Sequence, residues 1–154
     1  MRTIILKALT VTILLFVSGK ITSQIKTVEI NASALVEDKA IGEFTVLIYQ
    51  DGQLKDSVYS KKAKAITLSL ESGKLYSVLF RKANYPNKLV IVDTSIPSGL
   101  RELVEDPFEL QIELAQISQS LKTELTDYPV AVLTVNKKEK SLMASENYYK
   151  LTHN

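Results

Sequence analysis

The side chains in this chain that could do chemistry are few. The densest set is acidic: Glu102, Glu105, Asp106 and Glu109, next to Pro97 and Gly99. Carboxylates grouped in this way could do general acid–base work if burial raised the pKa of one of them. They could also gather oxygen ligands around Ca²⁺. Their spacing lacks the regular ligand positions of a calcium loop, so a solvated acidic face is the simpler reading. His153, the single imidazole, stands next to the last residue, where chains usually fray. The chain has no cysteine, which excludes thiol nucleophiles, disulfides and cysteine-bound zinc. It also has no GxSxG, HExxH or Gly-rich phosphate loop. On these residues the chain is expected not to be an enzyme, and no catalytic, cofactor-binding or metal-binding residue is assigned.

Tyrosines are better represented. Tyr49, Tyr59, Tyr76, Tyr85, Tyr128, Tyr148 and Tyr149 are spread over the chain, and tyrosine suits recognition surfaces because it joins apolar area to a polar tip. Tyr76, in an apolar run, reads as packing. Tyr85, in a polar connection beside Pro86, is the candidate interaction contact.

The elements that would position these residues begin after residue 23. Arg2 and Lys7 precede the apolar run Ala8–Val17, and a polar tail ends at Ser23, as in a secretory signal peptide. That run is far shorter than the roughly 20 residues that span a bilayer. Cleavage after Ser23 is favoured, with Gly19 the second choice, and no stable membrane span is expected afterwards. Without a cysteine, no lipoprotein anchor can form. Arg2, Lys7 and Lys20 leave with the signal, which takes 19 basic groups to 16 against 17 acidic ones and the formal net charge from +2 to −1. That balance argues against a nucleic-acid partner, which would need a basic face. Lys61, Lys62 and Lys64 read as a solvated loop or strand edge. The expected location is outside the cytoplasm: periplasmic, outer-membrane-associated or secreted.

Residues 24–154 read as one domain of short strands. Phe44–Tyr49 and Leu54–Tyr59 flank Asp51-Gly52, a strong hairpin signal because both turn residues accept positive φ. Ala65–Leu70 alternates, with Ile66, Leu68 and Leu70 on one face. Leu75–Arg81 follows a Ser72-Gly73 turn, and Tyr76, Val78 and Phe80 form its better core face. Leu89–Val92 is apolar throughout, as in a strand covered on both sides. Phe108–Leu114 alternates, with Phe108, Leu110, Ile112 and Leu114 inward. Val130–Val135 is a further strand, and Thr27–Ile30 and Ala34–Val36 are weaker candidates. The residue spacing allows short helical turns at Leu100–Val104, Ile117–Leu125 and Ser145–Leu151. The expectation is an all-β fold: a single antiparallel β-sandwich of about seven to nine short strands, cohering through its core alone.

Over residues 44–94 the order of strand, Asp51-Gly52 turn, returning strand, Ile66–Leu70, Ser72-Gly73, Tyr76–Phe80 and then Tyr85 resembles the carboxypeptidase regulatory-like domains. These are transthyretin-related β-sandwiches of exported Gram-negative envelope proteins. Asp106-Pro107-Phe108-Glu109-Leu110 and Tyr128-Pro129-Val130-Ala131 resemble an extension found in proteins of this type. This chain carries Lys61-Lys62-Ala63-Lys64 where the family has a Gly-containing turn, and Asn84-Tyr85 where it has Gly-Tyr. Asn tolerates the left-handed backbone that such a turn needs. The resemblance implies no catalysis, because in enzymes that own such a domain the zinc and catalytic residues lie in another domain. Two functional expectations follow. One is an exported, non-catalytic module that docks on an unknown envelope protein or surface polymer. The other is a small-ligand or Ca²⁺-binding domain, or an enzyme, with a cleft lined by tyrosine and carboxylate.

Overall fold

The computed structural model describes residues 27–100, 106–114 and 129–145. The signal peptide, the three short helical readings apart from Leu100 and Ser145, His153, Glu102, Glu105, Tyr128, Tyr148 and Tyr149 lie outside the described residues. Ten strands form among the described residues: β1 (Thr27–Val36), β2 (Lys39–Ile41), β3 (Phe44–Gln50), β4 (Gln53–Ser60), β5 (Ile66–Glu71), β6 (Leu75–Arg81), β7 (Lys88–Asp93), β8 (Phe108–Glu113), β9 (Ala131–Asn136) and β10 (Ser141–Ala144). Among the described residues no helix is present, and none is long and apolar enough to cross a membrane.

The strands form two sheets. In the four-stranded sheet β1 is central, pairing along one side with β8. Along its other side it pairs first with β5 and then with β2. The six-stranded sheet has the order β10-β9-β7-β6-β3-β4. Alternate residues of both sheets turn inward onto one core. Val28, Ile30, Ala32 and Ala34 come from β1, Leu68 and Leu70 from β5, and Leu110 and Ile112 from β8. Phe44, Val46, Ile48, Tyr76, Val78, Phe80, Val90, Val92, Leu133, Val135 and Leu142 come from the other sheet. Phe44 and Phe80 stack at the core with ring centroids 6.3 Å apart.

The all-β, two-sheet reading therefore holds, with two corrections. The sandwich is not purely antiparallel, since β1 pairs parallel with β8 and β7 parallel with β9. Both pairings join strands distant in sequence (Asn31 and Glu109 are 78 residues apart), whereas hairpin signals reveal only antiparallel neighbours. The strand count also exceeds the expected range. Thr27–Ile30 and Ala34–Val36 are one continuous strand, because Asn31, a poor strand former, faces outward and is held there. The Thr67 hydroxyl donates to Asn31 Oδ1 at 2.9 Å, and Asn31 Nδ2 donates to Glu109 Oε1 at 2.8 Å. Strand β2 follows a two-residue turn at Glu37 and Asp38, both left-handed at φ 52° and 60°. A turn without glycine or asparagine gives the sequence little signal. Glu113 helps to hold it, its carboxylate accepting the Glu37 N–H at 2.8 Å. Strand β10 buries only Leu142 and follows the charged run Lys137–Lys140, where Asn136 Oδ1 accepts the Lys138 and Glu139 N–H groups.

The expected turns are present. Asp51 and Gly52 take φ 52° and 75°, joining Gln50 to Gln53 across a tight hairpin, and Asn84 is left-handed at 67°. Less visible in the sequence are the passages between sheets, where the chain turns a corner at β2–β3, β4–β5 and β5–β6. The two buried polar side chains among the described residues, Ser60 and Thr94, sit beside such corners. The Ser60 hydroxyl donates to Lys62 O at 2.9 Å and fixes the start of the β4–β5 loop. Thr94, at the end of β7, ties down the β5–β6 turn. Its hydroxyl donates to Glu71 O at 2.7 Å and accepts the Lys74 N–H at 2.9 Å.

Tyr76 secures the same corner from within the core. Its phenol accepts the Glu71 N–H at 3.1 Å, and burial raises its pKa above the ordinary 10.0. An acid whose folded pKa is raised is stabilising while protonated. Its contribution is complete below about pH 10 and declines as pH climbs through the raised value. Urea titrations between pH 8 and 11 should therefore show stability falling above pH 10. In Tyr76→Phe, less stable at neutral pH for want of a partner to Glu71 N–H, that alkaline decline should be shallower. Equal slopes in both proteins would exclude Tyr76 as its source.

Candidate interaction surface

The two sheets face outward with opposite chemistry. Along the outer face of the four-stranded sheet stand Glu29, Asn31 and Ser33 from β1, Thr67, Ser69 and Glu71 from β5, and Glu109, Gln111 and Glu113 from β8. This is the polar, acidic exterior expected of a sheet with one wet face.

The outer face of the six-stranded sheet breaks that rule. Register places Leu47, Leu79, Leu89 and Val130 in one row across β3, β6, β7 and the entry to β9. The adjoining row carries Leu54, Tyr49, Ser77, Ile91 and Val132. Leu75, Asp93, Thr134 and Met143 follow in the next row. At the other end lie Tyr59, Thr45 and Arg81. Every exposed large hydrophobic residue among the described residues is on this side: Leu54, Tyr59, Leu75, Val130 and Met143. Strand spacing of about 4.8 Å makes the two apolar rows roughly 15–20 Å wide. The apolar run Leu89–Val92, read from the sequence as a strand covered on both sides, is covered on one only: Val90 and Val92 are fully buried in the core, whereas Leu89 and Ile91 stand partly buried on this outer face.

Tyr85 lies at the Arg81 end of this surface. The loop 82–87 places it half-buried against the core, so it is less exposed than its polar setting suggested. Its ring helps to line an open cleft of about 600 Å³ with Glu43, Thr45, Arg81, Lys82 and Asn87. The Lys82 ammonium is engaged there by backbone, donating to Gly42 O at 2.8 Å and to Glu43 O at 3.3 Å.

The acidic cluster is only partly in view. Asp106 and Glu109, both exposed, line an open groove of about 280 Å³ with Phe108 and Glu139. Glu109 is occupied by Asn31. Among the described residues no group of three or more Asp, Glu or His converges as a metal site. The Lys61, Lys62 and Lys64 side chains belong to the exposed β4–β5 loop.

Fold and surface together define a mixed two-sheet β domain with one polar and one apolar exterior. No family model matches the chain, and no curated protein or solved structure matches it.

Proposed function

We propose that this protein is an exported, non-catalytic β-sandwich module that acts by docking on another macromolecule of the cell envelope, through the outer face of its six-stranded sheet. The observation that carries this reading is the double row of aliphatic and aromatic side chains on that face, set against the polar exterior of the opposite sheet. Soluble monomers rarely expose a contiguous apolar patch of this extent without using it. Tyr59 and Tyr85, at the Arg81 end, have the amphipathic character common at interface rims. The secretory segment at residues 1–23 and the resemblance to carboxypeptidase regulatory-like domains over residues 44–94 support the same reading and its envelope location.

Leu89→Lys and Gln111→Lys place the same charge on opposite exteriors, and both positions tolerate a long side chain without disturbing the core. When each protein is purified gently from the cells that make it, Leu89→Lys should elute as a smaller species than the parent. Gln111→Lys should keep the parental size, with melting temperatures of all three within a few degrees. An unchanged assembly in Leu89→Lys would refute the assignment of the surface.

A further inference from the structure

We infer that the partner on the apolar face is a second copy of this chain, packed face to face about a twofold axis that runs across the strands. The inference rests on the docking role proposed above and adds the identity of the occupant. An axis lying between the two apolar rows sets each row against the other in the mate. Leu47 then opposes Tyr49, Leu89 opposes Ile91, Val130 opposes Val132, and the bulky Leu79 opposes the small Ser77. Large against small, and row against row, is the interdigitation by which stacked sheets pack about 10 Å apart.

Charge placement agrees with the same axis. Arg81 stands at one end of the face and Asp93 at the other, on adjacent strands. The rotation that superimposes the apolar rows carries each Arg81 to the mate's Leu75, whose cross-strand neighbour is Asp93. An arginine side chain reaches that distance, so two reciprocal Arg–Asp pairs close the interface at its ends. A surface that complements itself in this way satisfies the isologous requirement of a twofold dimer. Six strands by four to seven residues give a face on the order of 600 Å² in projection. Side chains that stand up from that plane make its accessible surface larger, near the roughly 800 Å² per partner of a stable interface.

Sedimentation equilibrium on the protein as purified from its cells, with single and double charge reversals, tests the inference. Both residues lie outside the core, so the variants should fold, which their melting temperatures check. The parent should sediment as a dimer. Arg81→Asp and Asp93→Arg should each weaken dimerisation at least about tenfold, because each places like charges together twice. The double reversal should restore most of the loss. A parent that stays monomeric at every concentration overturns the inference, as does a dimer indifferent to both reversals. If the purified parent is monomeric while the assembly recovered from cells still depends on Leu89, the occupant is a different protein and the docking role stands. If no assembly depends on Leu89, both fail.

Discussion

Thr94→Val is expected to lower the free energy of unfolding by about 2–3 kcal/mol, although valine copies the shape of threonine almost atom for atom. Thr94 is completely buried, and because valine fills the same volume the penalty does not come from lost packing. Its hydroxyl serves two backbone groups of one turn, accepting the Lys74 N–H and donating to Glu71 O. Its main chain serves the same turn, with Gly73 N–H donating to Thr94 O at 2.8 Å and Thr94 N–H donating to Lys74 O at 2.9 Å. Valine keeps the second pair and removes the first, leaving a donor and an acceptor in a poorly hydrated corner. Thr94→Ser keeps the hydroxyl and loses one buried methyl, a cost of about 1 kcal/mol. Chemical denaturation should therefore rank the parent above serine and serine above valine. The reverse order for the two variants would mean that the site is held by shape rather than by hydrogen bonding.

Gly42→Ala is the second substitution expected to do large damage, for a different reason. A Cβ at Gly42 would lie 2.7 Å from the carbonyl carbon of Lys62, 2.8 Å from Lys61 O and 3.0 Å from Lys62 Cα. All three are backbone atoms, so no side-chain rotation can make room. The β2–β3 corner and the β4–β5 loop would have to separate, and that loop is pinned by Ser60. Overpacking of this kind costs about 1–3 kcal/mol, and displacement of Gly42 O also disturbs the Lys82 ammonium bound to it. By contrast, an added Cβ at Gly52 meets nothing within 4 Å, so Gly52→Ala is strained only by its φ of +75°. Thermal melts should show Gly42→Ala as the more damaging of the two. The opposite ranking would show that the corner can open without cost.

These two sites mark the boundary of what the sequence discloses. Strands with alternating burial were legible because period 2 is a local property: Tyr76, Val78 and Phe80 turn inward, as do Leu68 and Leu70, Leu110 and Ile112. The Asp51-Gly52 hairpin was legible because its φ values demand such residues. The corners were not, because Gly42, Ser60 and Thr94 act on segments up to 23 residues away and leave no periodic trace. The parallel pairings were hidden for the same reason, as they depend on which distant strand completes an edge. The candidate surface was half legible. Leu89–Val92 declared apolar residues on both sides, whereas Leu47, Leu79 and Val132 looked unremarkable until register aligned them into adjoining rows.

The most direct test of the docking surface is a photoreactive residue introduced at Leu79 in one strain and at Gln111 in another, with irradiation of living cells. The first position is central to the apolar exterior, and the second lies mid-strand in β8, at the edge of the polar one. A discrete covalent adduct is predicted from position 79 and none from position 111. Adducts from 111 alone, or equal yields from both, would contradict the account.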